Sequence, residues 1–357
     1  MDTLVVVRTP LQLLNAIEAK NNFNLKVCAL VIFTTPGIDI KHFSSIINEE
    51  SWEEIYYFDP NMRWPAPALR SLKSLRRFVG FMEQWKRRSR LDRFFRRFRN
   101  VKNIVLGHYG QIHFLHIANI LQAPNCILVD DGTDSLWVAR KRFYSAKHIK
   151  DARKESISIA WRAKRMVTKH VHWMTQQRAT LTFFSSYRLE LPPQDQLVEN
   201  SYAVARKRTV SQRVEERCIF IGQALVEDGY LERGEFESLL LAIKGQLSPD
   251  TMVYVPHPRE VKPLLQESLA KLGIDMQPLE MPIEHFLMFS DTLPKVVASF
   301  FSSALDNCRV IWGGRMRLVA FRIPENSLIK QQAFCEEIYG YFEKTSRGAI
   351  EIKNIVS

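Results

Sequence analysis

Short apolar runs rich in valine, isoleucine and leucine recur along the chain and are spaced by longer segments whose apolar residues return every three or four positions. The first pattern predicts strands buried on both faces, and the second predicts amphipathic helices. In the first half the strands fall at Leu4–Val7, Val27–Phe33, Ile55–Phe58, Asn103–Leu106 and Cys126–Val129. Helices are predicted over Leu11–Lys20, with Pro10 near a first helical position, over Ile112–Leu121, and once or twice in the basic stretch between them. A second alternation runs through Cys218–Ile221, a helix near Phe236–Gln246, Met252–Val255, a helix near Val261–Leu272, and Val296–Phe301. Asp306–Trp312 and Leu318–Phe321 follow, and an amphipathic helix around Lys330–Phe342 closes the chain. From about Ser135 to Arg217 the sequence is polar, basic and hard to assign, apart from a loop at Leu191-Pro192-Pro193.

Strands alternating with helices imply parallel, doubly wound sheets. The 357 residues exceed one ordinary core, so two Rossmann-like α/β domains facing a cleft are expected. The boundaries read from the pattern are 1–190 for the first domain, 191–216 for a linker, 217–329 for the second domain, and 330–357 for a closing helix and tail.

Net charge is +12, from 50 basic and 38 acidic side chains, and points to an anionic partner. The excess is concentrated between Arg70 and Lys102, where Phe78, Phe81, Trp85, Phe94, Phe95 and Phe98 interleave with the arginines. Such a helix can dock on an anionic membrane face, can be a solvated surface, or can bind nucleic acid. No recognised nucleic-acid module accompanies it, so specific nucleic-acid binding is not expected. The five scattered cysteines form no CxxC pair, and no apolar run approaches the length of a bilayer span. A cytoplasmic protein is expected, peripheral on the inner membrane face if the basic helix docks there.

Candidate chemistry collects at predicted strand ends, where open α/β sheets bind ligands. Met252–Val255 runs into Pro256-His257-Pro258-Arg259-Glu260, so two prolines hold a histidine beside an arginine in a stiff turn suited to a phosphate. Asp130-Asp131-Gly132 follows another strand; it can supply a general base, cap the next helix, or contribute to a hard-cation site. Glu227-Asp228 closes the first strand of the second half, as a base or a helix-start cap. Ser302-Ser303 ends a further strand and offers hydroxyls at a helix start. His108, His113 and His116 are read as ordinary residues, because nothing acidic or cysteinyl joins them at suitable spacing.

Taken in order, DDGT, PHPRE and FFSSA resemble the motifs of bacterial sialyltransferases, most closely glycosyltransferase family 52, which acts on lipooligosaccharide. Thr9-Pro10-Leu11-Gln12 resembles that family's opening, and the likeness spans islands from Leu4 to Ala304. The resemblance implies a GT-B fold, CMP-sialic acid as donor, inversion at the anomeric carbon, and no metal or other cofactor. It implies that His257 contacts the donor phosphate, with Pro258, Arg259, Ser302 and Ser303 beside it and Glu284 meeting the nucleotide. Thr9, Gln12 and Asp131 fall on the acceptor side. The base stays open between Asp130, which related families suggest, and Glu227 or Asp228, which family 52 suggests. A glycan or glycolipid ending in a sugar such as galactose is the implied acceptor. Another nucleotide sugar as donor (a different CMP-nonulosonate or UDP-glucose) and pairing with a second copy of the chain both stay open.

Overall fold

A computed structural model describes residues 1–34, 40–48, 50–60, 73–132, 134–149, 173–247 and 252–356, with the side chains of 45, 73–81 and 144–149 outside that set. The chain divides into two units, Met1–Pro36 with Ile46–Asn200, and Gly37–Ser45 with Ser201–Ser357.

The first unit is built on a seven-stranded sheet. Its strands are β1 (Thr3–Val7), β2 (Cys28–Phe33), β3 (Glu54–Phe58), β4 (Asn103–Leu106), β5 (Asn125–Val129), β6 (Thr182–Ser185) and β7 (Gln196–Glu199). They lie in the order β3-β2-β1-β4-β5-β6-β7, and every pairing is parallel. The chain winds outward one way from β1 and then returns to start again at β4. That reversal leaves a crevice beyond the carboxyl ends of β1 and β4. β1 and β2 are buried at every position, as strands covered on both faces must be, whereas the edges β3 and β7 are largely exposed.

The second unit repeats the plan with six strands: β8 (Arg213–Ile221), β9 (Met252–Val255), β10 (Asp275–Met276), β11 (Thr292–Ser299), β12 (Arg317–Arg322) and β13 (Ile350–Asn354). Their order is β10-β9-β8-β11-β12-β13, again parallel throughout, with the reversal between β8 and β11. Two Rossmann-type sheets are therefore present, as the alternation implied.

The boundaries differ from those read in the sequence. β7 falls within 191–216, and the helix Ala203–Arg208 follows it before β8 begins at Arg213, so this stretch is structured. β8 is longer than its apolar half because its first residues lie exposed and only Cys218–Ile221 is buried. The closing segment adds β13 to the second sheet beside β12, after the helix Gln332–Ser346. The polar middle contributes the helix Asp134–Ile149 and β6 to the first unit.

The basic stretch forms the helix Lys73–Phe95 and a short 3₁₀ turn, Arg96–Phe98; residues 70–72 lie outside the described residues. Its later aromatics belong to the core. Phe95 and Phe98 are buried, and Phe94 packs at 4.7 Å (ring centroids) from Phe58. Arg97 lies over the Phe94 ring at 4.4 Å and Arg90 over the Phe58 ring at 4.9 Å, so these cations are held by aromatics of their own unit. Among the described aromatics of the stretch, Trp85 is the one left exposed. His116 fastens this helix down, its Nε2 at 2.7 Å from Asp92 Oδ1 while its Nδ1 accepts from the Met174 amide at 2.9 Å. All five cysteines are buried and unpaired. Among the described residues no helix is long and apolar enough to cross a membrane.

Candidate active site

Each unit gathers polar side chains where strands end beside its reversal point. In the first unit the loop after β1 begins the helix Pro10–Asn22. Thr9 caps it, accepting from the Gln12 amide at 3.2 Å, and Pro10 occupies the first turn, where its missing N–H costs nothing. Gln12 is fully buried; its Oε1 accepts from the Arg8 amide at 2.7 Å, and its amide lies close enough to Asp131 to act on that carboxylate. The side chain fits because residue 107 is glycine, since a Cβ there would stand 2.2 Å from Gln12 Oε1.

The two aspartates that follow β5 have different surroundings. Asp130 is 2% exposed, and both its oxygens are occupied. Ser185 Oγ donates to Oδ1 at 2.6 Å, while the Ser186 amide and hydroxyl donate to Oδ2 at 2.8 and 3.3 Å. Burial raises its pKa to about 6 despite these donors. Saturated in this way, Asp130 joins the ends of β5 and β6, and as a base it would have to break its own network. Asp131, at the crevice, carries the accessible carboxylate, with its side chain 15% exposed. Its pKa is also raised to about 6, by burial first, with the Gln12 amide and Arg8 pulling the other way. Gly132 takes φ +61° to make the turn into the next helix.

His108, directly after β4, joins this group, contrary to its reading as an ordinary residue. Its Nδ1 accepts from the amides of Gly110 and Gln111 at 2.8 and 3.2 Å. Its Nε2 lies 3.8 Å from carboxylate oxygens of both Asp131 and Asp134. Burial, and then Arg8, lower its pKa to about 4, so the ring is neutral at pH 7. The acidic partners come from a neighbouring strand end, which spacing along the chain cannot reveal. His113 and His116 remain packing residues of the helix Ile112–Leu121.

In the second unit β9 delivers His257, half-buried, with Pro258 and Arg259 exposed behind it. The histidine's backbone amide donates to Glu260 Oε2 at 2.6 Å, and Tyr254 Oη donates to Glu260 Oε1 at 2.7 Å. Burial pushes the Glu260 pKa up to about 7. Gly222, at the end of β8, makes room for this pair, because a Cβ there would sit 2.5 Å from both Glu260 Oε2 and Tyr254 Oη. His257 Nδ1 accepts from the Arg259 amide at 3.2 Å, which puts the proton of a neutral ring on Nε2. Burial and then Arg259 lower its pKa.

Glu227 and Asp228 brace the same turn: Glu227 Oε1 accepts from the Val261 amide at 2.9 Å, and Asp228 pairs with Arg259 at 2.6 Å. β11 leads into the helix Ser303–Trp312, where Ser302 is the N-cap and accepts from the Ala304 amide at 3.3 Å. Gln223 ties this end to β8, its Oε1 accepting from the Phe301 amide at 2.9 Å. Glu284, expected to meet a nucleotide, is instead 3% exposed and bonded to Asn307 Nδ2 at 2.7 Å. Tyr202 Oη donates to Asn307 Oδ1 at 3.1 Å, so Glu284 belongs to an internal polar chain.

No protein-family model matches the chain, and no curated protein matches it. Solved structures resemble it over nearly its whole length at low identity. UDP-GlcNAc 2-epimerase from Neisseria meningitidis bound to UDP-GlcNAc gives a TM-score of 0.47 at 9% identity, covering all of this chain and 96% of that one. HepE of Anabaena with UDP and glucose gives 0.45 at 10%, covering 98% and 92%. MurG of Acinetobacter baumannii gives 0.41 at 9%, covering 99% and 86%.

Proposed function

We propose that this protein is an inverting glycosyltransferase of GT-B type that transfers sialic acid from CMP-Neu5Ac to a terminal sugar of lipooligosaccharide or another surface glycan. The observation that carries the proposal is the His257 turn. A neutral imidazole with its Nδ1 occupied has one proton to offer, on Nε2, from a strand end of a Rossmann-type sheet. The next strand across the reversal point, β11, ends in a helix start capped by Ser302, where amides and a hydroxyl suit an anion.

When CMP leaves sialic acid, negative charge gathers on phosphate while the tertiary anomeric carbon becomes cationic. Donors already fixed at that phosphate stabilise this change without reorganising, an effect of several kcal/mol. His257, Ser302 and Ser303 supply them in this reading, with Arg259 adding charge. Glu227 and Asp228 act as braces for the histidine turn. Substitution of His257 by alanine should reduce turnover at least a hundredfold while the melting temperature stays within a few degrees of wild type. Near-wild-type turnover in that variant contradicts the phosphate role. Docking on anionic membranes rests in this reading on the basic side chains and the exposed Trp85, since Phe94, Phe95 and Phe98 pack within their own unit; liposome flotation indifferent to anionic lipid would remove it.

A further inference from the structure

We infer that a pocket at the amino end of the first unit's sheet binds a phosphate ester carried on an apolar body. The pocket lies where the helix Lys73–Phe95 and its 3₁₀ turn meet the last turn of the helix Ile112–Leu121. The first of these leads into β4 and the second into β5. Both therefore meet at the starts of those strands, at the opposite end from His108 and Asp131. The cavity has a volume of about 280 Å³, near the lower bound of small-ligand sites, about 300 Å³. It is contained in one unit and does not depend on the transferase reading.

Its charge selects an anion. Arg88, Arg96 and Arg99 line it against one acidic side chain, Asp92. That carboxylate is already engaged, with Oδ1 at 2.7 Å from His116 Nε2 and Oδ2 at 3.6 Å from Arg88 Nε. Burial alone would raise its pKa, but the His116 bond and the charges of His116, Arg88 and Arg96 hold it below the ordinary carboxylate value. Arg96 and Arg99 are exposed, and their guanidinium groups make no hydrogen bond or ion pair among the described residues. Their neighbours differ, since Arg97 lies over the Phe94 ring and Arg90 over the Phe58 ring. Carbonyls at a helix end would repel an anion. Here Arg178 donates to the carbonyls of Ala118 and Ala123, and the Gln122 amide also bonds Ala118. Guanidinium forks with free N–H groups suit the several oxygens of a phosphate.

The rest of the lining is apolar. Phe95 and Leu121 are buried, and Ile120 and Met174 are half-buried. The wall that carries Met174 is fixed in place without a ligand. Its amide donates to His116 Nδ1 at 2.9 Å, and Asn119 Nδ2 donates to the carbonyls of Met174 and Gln176 at 3.3 and 2.8 Å. A preformed pocket that combines guanidinium groups with an apolar lining complements a phosphate on an alkyl or aryl group. A soluble phosphate ester and a lipid headgroup share that chemistry.

The test is calorimetric titration of the full-length protein with inorganic phosphate, hexyl phosphate and phenyl phosphate. Co-sedimentation with vesicles of phosphatidylcholine, alone or mixed with phosphatidate, runs beside it. Phosphate-dependent binding to wild type is expected, with an ester or phosphatidate held more tightly than inorganic phosphate. Arg96→Ala/Arg99→Ala should weaken it about tenfold or more. Arg96→Lys/Arg99→Lys should fall between, because lysine keeps the charge and loses the fork. Arg93→Ala/Lys102→Ala removes the same charge outside the pocket and should bind like wild type. Circular dichroism confirms that each variant is folded. Binding of a soluble ester sustains the inference with a small-molecule ligand. Binding of phosphatidate vesicles alone, lost in Arg96→Ala/Arg99→Ala, sustains it with a headgroup. Silence towards every phosphate probe, equal losses in the two double-alanine variants, or inorganic phosphate bound as tightly as the esters each overturns it.

Discussion

His108 and Asp131 face one another from the ends of two adjacent strands, with Nε2 and Oδ2 3.8 Å apart although 22 positions separate them in between. His257 in the other unit is held by the same local device. In both histidines Nδ1 accepts from the amide two residues onward, Gly110 in one case and Arg259 in the other. Each ring is thereby a fixed, neutral Nε2–H donor at a strand end.

Asp131 should show opposite effects on stability and activity. Its folded pKa, about 6, lies above the unfolded value of 3.8, so its stabilising contribution is complete below 3.8 and is lost as pH rises through 6. Asp131→Asn removes the buried charge. The variant should be more stable than wild type by about 1–2 kcal/mol at pH 7.5, with the difference closing as pH falls towards 4. Urea unfolding at a series of pH values measures this. If the Asp131 carboxylate serves the acceptor side, wild-type transfer should fall below about pH 6 as it is protonated, and a rate independent of pH from 5 to 8 contradicts that role.

Gly107→Ala should disturb the polar group at the ends of β1, β4 and β5 through Gln12. The new methyl meets the Gln12 side chain along much of its length, with Oε1 at 2.2 Å and Cβ at 2.8 Å, so rotation of the amide alone does not relieve it. A loss of about 1–3 kcal/mol is expected, typical of overpacking. The double variant Gly107→Ala/Gln12→Ala should regain part of it, which thermal unfolding of the two will show. If the double variant is the less stable of the two, the close approach is not what fixes glycine here.

Glu260 should act on catalysis through the position of His257. Alanine leaves both the His257 amide and the Tyr254 hydroxyl without their acceptor, each costing about 1–3 kcal/mol if no water replaces it. Glutamine keeps one oxygen for the amide, and its NH₂ can donate to the tyrosine oxygen. Glu260→Gln should therefore retain most activity and Glu260→Ala should lose it, compared at a temperature where both are folded. Equal activities would mean that the carboxylate does not position the histidine.

Ser302 separates a capping role from a binding one. Ser302→Gly should cost only a few tenths of a kcal/mol in stability, against about 1 kcal/mol for alanine, because glycine is tolerated at an N-cap. Both variants remove the hydroxyl. If it binds the donor phosphate, CMP affinity falls equally in the two despite their different stabilities. Affinity that follows stability instead assigns Ser302 to capping alone.

The sheets were legible because their central strands, β1, β2, β4 and β5, are continuous apolar runs. Three of the four edge strands, β7, β10 and β13, were not, whereas the edge strand β3 was read from Ile55–Phe58. β13, Ile350–Asn354, alternates isoleucine with glutamate and lysine and resembles a charged tail until β12 is found beside it. The site was legible where one strand end contains its own signal, as in Pro256-His257-Pro258. It was illegible where partners meet only across the sheet: His108 gives no local hint of Asp131. The reverse held for Asp130 and Glu284. Motif position suggested chemistry for Asp130 and the family resemblance suggested it for Glu284, and only their partners, Ser185 with Ser186 and Asn307, reveal the internal contacts.

The central claim is that the His257 turn and the Ser302 helix start hold the phosphate of a CMP-sugar. Calorimetric titration of CMP and of UDP into wild type and His257→Ala, without divalent metal, tests it most directly. Saturable CMP binding at micromolar concentration, at least tenfold weaker in the variant and much stronger than that of UDP, is the expected result. Binding of UDP in preference to CMP, or CMP binding unchanged by the loss of His257, contradicts it.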